Sequence, residues 1–144
     1  MAYPGDGMTG IGVLADSGIR AMIASGAIVA TPAVTDAQVQ PASLDLRLGS
    51  VAYRVRASFL AGQGRTVAER IAEFEMHQVD LTRGAVLEKG CVYVVPLMEH
   101  LALPSGVTAV ANAKSSTGRL DLLTRTITDG GVEFDRIPDA YHGP

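Results

Sequence analysis

The chain has no tryptophan, a single cysteine and few aromatic side chains. A core without large rings has to be assembled from valine, leucine, isoleucine and alanine, which suits short strands and small helices. One thiol cannot form an internal disulfide, so the fold must stand on packing alone. That thiol, Cys91, lies in the apolar run 91–95, where its expected role is that of a small core residue.

Positive charge is also scarce. With 12 basic against 15 acidic residues and a net charge of -3, no broad basic face is available for nucleic acid. Apolar runs are far shorter than a membrane span requires, and residues 1–12 lack the basic start and continuous apolar stretch of a secretion signal. The composition therefore points to a cytoplasmic globular chain, with a flexible Gly-rich lead over 1–12 and one domain over 13–144. A small anionic ligand remains possible, because it needs only a local cluster of donors.

What is present begins with one helix. Asp16 or Ser17 can cap it, Ile19, Met22 and Ile23 share a face, and Gly26 is placed to end it. A short strand over 27–30 is expected to follow, broken by Thr31-Pro32. From Ser43 the pattern alternates, with Leu44, Leu46 and Leu48 on one side and Ser43, Asp45 and Arg47 on the other, as a half-buried strand requires. The polar side is either a solvent face carrying an Asp/Arg pair or a surface toward a ligand or another subunit.

A further strand is expected over 51–58. Residues 62–76 follow neither period and read as an insertion, with a turn of helix over 67–72. His77 lies just beyond it, without a second ligand at metal-binding spacing. From residue 79 the chain reads as short strands separated by turns at Arg83-Gly84, Glu88-Lys89-Gly90 and Pro104-Ser105-Gly106. Strands at this spacing without intervening helices predict a mainly β sandwich or barrel with a minor helical part.

The densest polar cluster is Lys114-Ser115-Ser116-Thr117-Gly118-Arg119, entered from the apolar run 106–113 and left through 120–123. Two cations, three hydroxyls and a glycine offer many donors with little bulk, which suits phosphate oxygens. The same residue types also make an ordinary solvated turn between strands. The G-x-x-x-x-G-K-[ST] spacing of a Walker loop is absent, so the phosphate geometry must be a different one.

Two segments together carry a resemblance to a known family. The stretches Gln40-Pro41-Ala42-Ser43-Leu44-Asp45-Leu46-Arg47-Leu48-Gly49 and Lys114-Ser115-Ser116-Thr117-Gly118-Arg119-Leu120 resemble the two signatures of dCTP deaminases, a branch of the trimeric dUTPase superfamily. Glu99-His100-Leu101-Ala102-Leu103-Pro104 resembles the stretch ahead of the second signature, and 131–143 resembles the nucleoside-binding segment. The resemblance implies a mainly β, dUTPase-like distorted β-barrel of jelly-roll type with a short N-terminal helix. It also implies a homotrimer, or a pseudo-trimer of duplicated domains, with sites between subunits.

The implied reaction is metal-free hydrolytic deamination of dCTP to dUTP and ammonia. By the resemblance, Lys114, Ser115, Ser116, Thr117 and Gly118 contact phosphates, while Ser115 and Arg119 reach the cytosine and the attacking water. Lys114 stands where many relatives carry arginine, giving a point charge in place of a fork. Mg2+ would accompany the triphosphate, and dTTP would be an inhibitor. A catalytic zinc is not expected, since zinc deaminases need a Cys-x-x-Cys pair that one cysteine cannot supply.

The family's sugar-binding aspartate matches Asp135 best, with Asp139 as the competitor. Its general-base glutamate lies on the strand after the nucleoside segment, which places it beyond Pro144. Glu133 is upstream of that position. The chain is therefore expected to be an N-terminal fragment, incomplete at its C-terminus and inactive by itself. The extra residues over 57–77 and 133–141 favour the long, two-domain form. Two alternatives remain: a dUTPase-like or bifunctional pyrophosphatase giving dUMP, and a non-catalytic nucleotide-binding module.

Overall fold

A computed structural model describes residues 12–144. Its first element is helix α1, Asp16–Ala24, whose Ile19 and Met22 are buried three residues apart on one face. Ala15 occupies the capping position and offers no side-chain cap, so neither Asp16 nor Ser17 fills that role. Asp16 instead begins the first turn, where its charge complements the positive end of the helix. Gly26 follows the helix at a φ of +80°, a conformation in which a Cβ would be strained, and this turns the chain into strand β1, Ile28–Ala30.

Strand β1 pairs antiparallel with β7, Glu99–Ala102, whose other edge carries β10, His142–Gly143. Strands β2, Val39–Gln40, and β3, Ser43–Leu44, form a tight hairpin around Pro41-Ala42 and lie against α1. Strands β8, Ala109–Val110, and β9, Arg136–Ile137, make a second small ladder. Ile19, Met22, Ala27, Ile28, Leu103, Ile137 and Tyr141 form the core that these elements share.

A second core lies under the three-stranded sheet in which β4, Val51–Val55, is flanked by β5, Glu75–Asp80, and β6, Val92–Val94. Val55, Phe59 and Ile71 are buried there, with Tyr53, Val67, Phe74, Val94 and Ile127 packed around them. The insertion is more regular than its sequence pattern suggests. Helix α2 runs Val67–Phe74, capped reciprocally by Thr66 and Glu69, and passes directly into β5. His77 stands in β5 opposite Arg54.

The structure is mainly β, as expected, but the described strands form four separate sheets of two or three strands, and none closes into a barrel. Prolines 32, 41, 96, 104 and 138 interrupt the backbone donors between strands and keep each ladder short. The segment 122–128 contains no strand, and the strand expected over 107–113, after the turn at Gly106, is reduced to two residues.

Cys91 is half-buried, outside both cores, with its Sγ 3.6 Å from Glu88 Oε2, so it is not the core residue that its apolar flanks suggest. Among the described residues no helix is long and apolar enough to cross a membrane. Residues 1–11, most of the expected flexible lead, lie outside the described residues.

Candidate functional site

The strand expected over 43–48 is regular only at Ser43–Leu44, where Leu44 packs on the first core, and its burial is inverted from Asp45 onward. Leu46 and Leu48 are 44% and 59% exposed, while Asp45 and Arg47 are half-buried. The reason lies in distant partners. Glu99, 3% exposed at the start of β7, accepts from the Arg47 backbone N–H at 2.9 Å, from Arg47 Nε at 2.8 Å and from Gln38 Nε2 at 2.9 Å. Arg47 spends its remaining donors on the carbonyls of Pro32 and Ala33.

Burial alone would push the Glu99 carboxyl up, but the bonds from Arg47 and Gln38 outweigh it and hold the group below the usual glutamate value. A buried charge is tolerated here because every oxygen has a donor. Gln38 closes the arrangement around Asp45. Its carbonyl accepts from Asp45 N at 2.9 Å, and its amide donates to Asp45 O at 2.9 Å. Gln38 is itself set by Thr35, whose backbone N–H bonds its side chain in a second capping box.

Asp45 thus has a fixed backbone, and its carboxylate meets Lys114 Nζ at 2.5 Å. The first and second signatures are joined by this ion pair. Beyond Lys114 the hexapeptide is not an open turn between strands but one short helix, α3, Ser115–Arg119. The Lys114 carbonyl starts it, accepting from Thr117 N and Thr117 Oγ1. Competition between hydroxyl and backbone, which makes Ser and Thr read as turn residues, here nucleates a helical turn.

The hydroxyls of Ser115 and Ser116 and the guanidinium of Arg119 are exposed and make no hydrogen bond or ion pair with the described residues. A Cβ at Gly118 would meet nothing within 4 Å, so the surface above the helix is open. Two surface depressions, of about 210 and 440 Å³, lie elsewhere and include no residue of 114–119.

Asp135 is brought to the base of the same loop. It takes a φ of +63°; its carbonyl accepts from Ala111 N at 2.8 Å and its Oδ1 from Thr126 N at 2.7 Å. Its Oδ2 pairs with Arg125 Nε. Asp139 is exposed and accepts from Gly106 N at 2.7 Å through one oxygen. Glu133 is exposed and pairs with Arg136. None of the described carboxylates lies within ion-pair distance of Arg119.

Residues 10–144 match the family model described as the 2'-deoxycytidine 5'-triphosphate deaminase N-terminal domain. The chain belongs to that family. A solved dCTP deaminase from Agrobacterium tumefaciens superposes with a TM-score of 0.89 at 58% identity, covering 92% of this chain and 40% of the other.

Curated relatives include the "dCTP deaminase, dUMP-forming" of Beutenbergia cavernae, 33% identical over 79% of this chain and 58% of that protein. The protein of the same description from Aquifex aeolicus is 32% identical over 84% and 64%. The chain therefore spans about three-fifths of the length of these deaminases. Within the family fold, the residues that pattern reasoning overlooked are Gln38, Arg125 and Thr126. Thr35-x-x-Gln38 is a capping-box signature that could have flagged the first. No local signal marks the other two.

Proposed function

We propose that the full-length protein carrying this chain deaminates dCTP by hydrolysis. The observation that carries the reading is the Lys114–Asp45 ion pair, which joins the two family signatures beside unengaged Ser115, Ser116 and Arg119. A triphosphate with its Mg2+ as counterion would take Lys114 as a point charge and the hydroxyls of Ser115 and Ser116 as donors, and Thr117 would join them by turning its hydroxyl away from the Lys114 carbonyl. The space above Gly118 admits a phosphate close to the backbone.

Arg119, at the far end of α3, would stand at the pyrimidine. Water adds to C4, a carboxylate accepts its proton and returns it to the departing ammonia, and Arg119 stabilises the charge that develops. By the family resemblance the carboxylate would be a glutamate on the strand that follows the nucleoside segment. Asp135, at the foot of the loop, would accept the deoxyribose hydroxyl through lone pairs its present partners leave over. Asp139 is the competitor, with one oxygen unengaged.

A homotrimer or pseudo-trimer is part of the proposal. It is supported by the open surface around the cradle, where Leu120 and Leu123 are 72% and 90% exposed. Feedback by dTTP would act at this same nucleotide site.

The names of the Beutenbergia and Aquifex relatives favour a second reading, in which deamination is coupled to pyrophosphate release and the product is dUMP. Assaying ammonia, pyrophosphate and nucleotide products from dCTP and from dUTP separates the two. Ammonia with dUTP supports simple deamination, and ammonia with dUMP and pyrophosphate supports the coupled reaction. No ammonia from dCTP overturns both.

A further inference from the structure

The loop 112–125 that carries the cradle contributes no residue to either core. It hangs between Ala111, packed on the first core, and Ile127, packed on the second. Among the described residues, two ion pairs connect it to the rest of the chain: Lys114 with Asp45, and Arg125 with Asp135. The first is the one that a bound triphosphate would displace, because the phosphate would claim the same ammonium. The second would then be the loop's one remaining ion pair to the rest of the chain.

Asp135 is unusual in touching both ends of this loop. Its carbonyl takes Ala111 N, its backbone N–H donates to Thr126 O at 2.8 Å, and its Oδ1 takes Thr126 N. A non-glycine residue at φ +63° keeps that conformation only when its surroundings enforce it. Arg125 supplies part of that enforcement. Its Nε bonds Asp135 Oδ2, and its guanidinium lies 5.0 Å from the centroid of the Phe134 ring, so the side chain is fixed by two adjacent residues at once.

We propose that Arg125 is a positioning residue of the deaminase site, which acts by locking Asp135 across the base of the 112–125 loop and so sets where Ser115 and Arg119 stand. The inference rests on the functional reading above for its catalytic consequence. The clasp itself can be observed without any turnover. Small displacements of a group at the reacting atoms cost much rate, so a loosened base should lower kcat more than it raises KM.

The experiment uses the full-length protein and its Arg125→Ala, Asp135→Asn and doubly substituted forms. Hydrogen exchange of the 111–126 amides is expected to quicken at least tenfold in Arg125→Ala, with the amides of β4 and β7 unchanged. Unchanged exchange at 111–126 overturns the clasp, whatever the activity. With dCTP, kcat/KM should fall about tenfold, carried mainly by kcat, and the double substitution should be no worse than Asp135→Asn alone.

Quickened exchange with unaltered kcat/KM, or strictly additive losses, overturns the positioning role. Should Arg125→Ala fail to fold, Arg125→Gln carries the same comparison. Arg125→Lys keeps the charge but not the planar fork, and its kcat should fall between those of wild type and Arg125→Ala. A wild type that releases no ammonia from dCTP overturns the functional reading and with it the catalytic role, while the exchange measurement still decides the clasp.

Discussion

Lys114 Nζ sits 2.5 Å from Asp45 Oδ2 across 69 residues of sequence, and that single contact brings the two signature segments of the family together. Lys114 is 64% exposed and Asp45 33%, so the pair is solvent-screened and contributes little to stability, about 0–1 kcal/mol. A polyanion can displace it at small cost. The pair fixes the cradle near the first signature without committing the ammonium.

Asp45→Asn should free Lys114 and tighten binding of inorganic triphosphate, measured by calorimetry without divalent ions, by up to about fivefold. Lys114→Ala should weaken the same binding by about tenfold. Weaker binding in Asp45→Asn would show that Asp45 helps to hold the anion and does not compete with it.

Glu99 governs the stability of the region beneath the site. Replacing it by Gln leaves Arg47 half-buried without its carboxylate and should cost about 3 kcal/mol in denaturant unfolding. The Glu99 carboxyl lies lower in the folded chain than in the unfolded one, so its contribution is present above the ordinary glutamate value and is lost as pH falls through the folded one. Wild type should therefore lose stability from about pH 4 downward more steeply than Glu99→Gln. Parallel pH profiles of the two would remove Glu99 from that role.

Helix α2 depends on its capping box. Thr66→Ala removes the acceptor that Glu69 N uses at 3.1 Å and should cost about 1 kcal/mol. Asp129 Oδ1 also takes the Val67 N–H at 2.6 Å, so the loss should be larger when Asp129→Ala is combined with it. Urea unfolding of the single and double variants measures both.

These partnerships explain what could be read from the sequence and what could not. Helix α1 was legible because Ile19 and Met22 announce a local period, and the turns at Gly26, Gly84, Gly90 and Gly106 because each glycine takes positive φ. The 43–48 stretch was misleading for the opposite reason. Its period of two is real in sequence, but Arg47 is drawn inward by Glu99 and Asp45 is held by Gln38 at its backbone and Lys114 at its carboxylate, partners that the alternating pattern does not show. The segment 114–119 stood out by its residue types and its resemblance to a family signature. Its helical shape, and the clasp at Asp135, depend on contacts with Lys114 O, Ala111 and Thr126 that residue types do not announce.

Arg119 is exposed, and its side chain has no partner among the described residues, so Arg119→Ala should leave the melting temperature within about 1 °C of wild type. Turnover of dCTP should nevertheless fall by about 100-fold or more, as for loss of a group that stabilises developing charge. Unchanged kinetics would remove Arg119 from the active site.

Deamination is read directly from the ammonia released when the full-length protein is incubated with dCTP and Mg2+. One ammonia per dCTP consumed is expected, with dUTP or dUMP as the nucleotide product. Consumption of dCTP without ammonia, or binding without turnover, would contradict it.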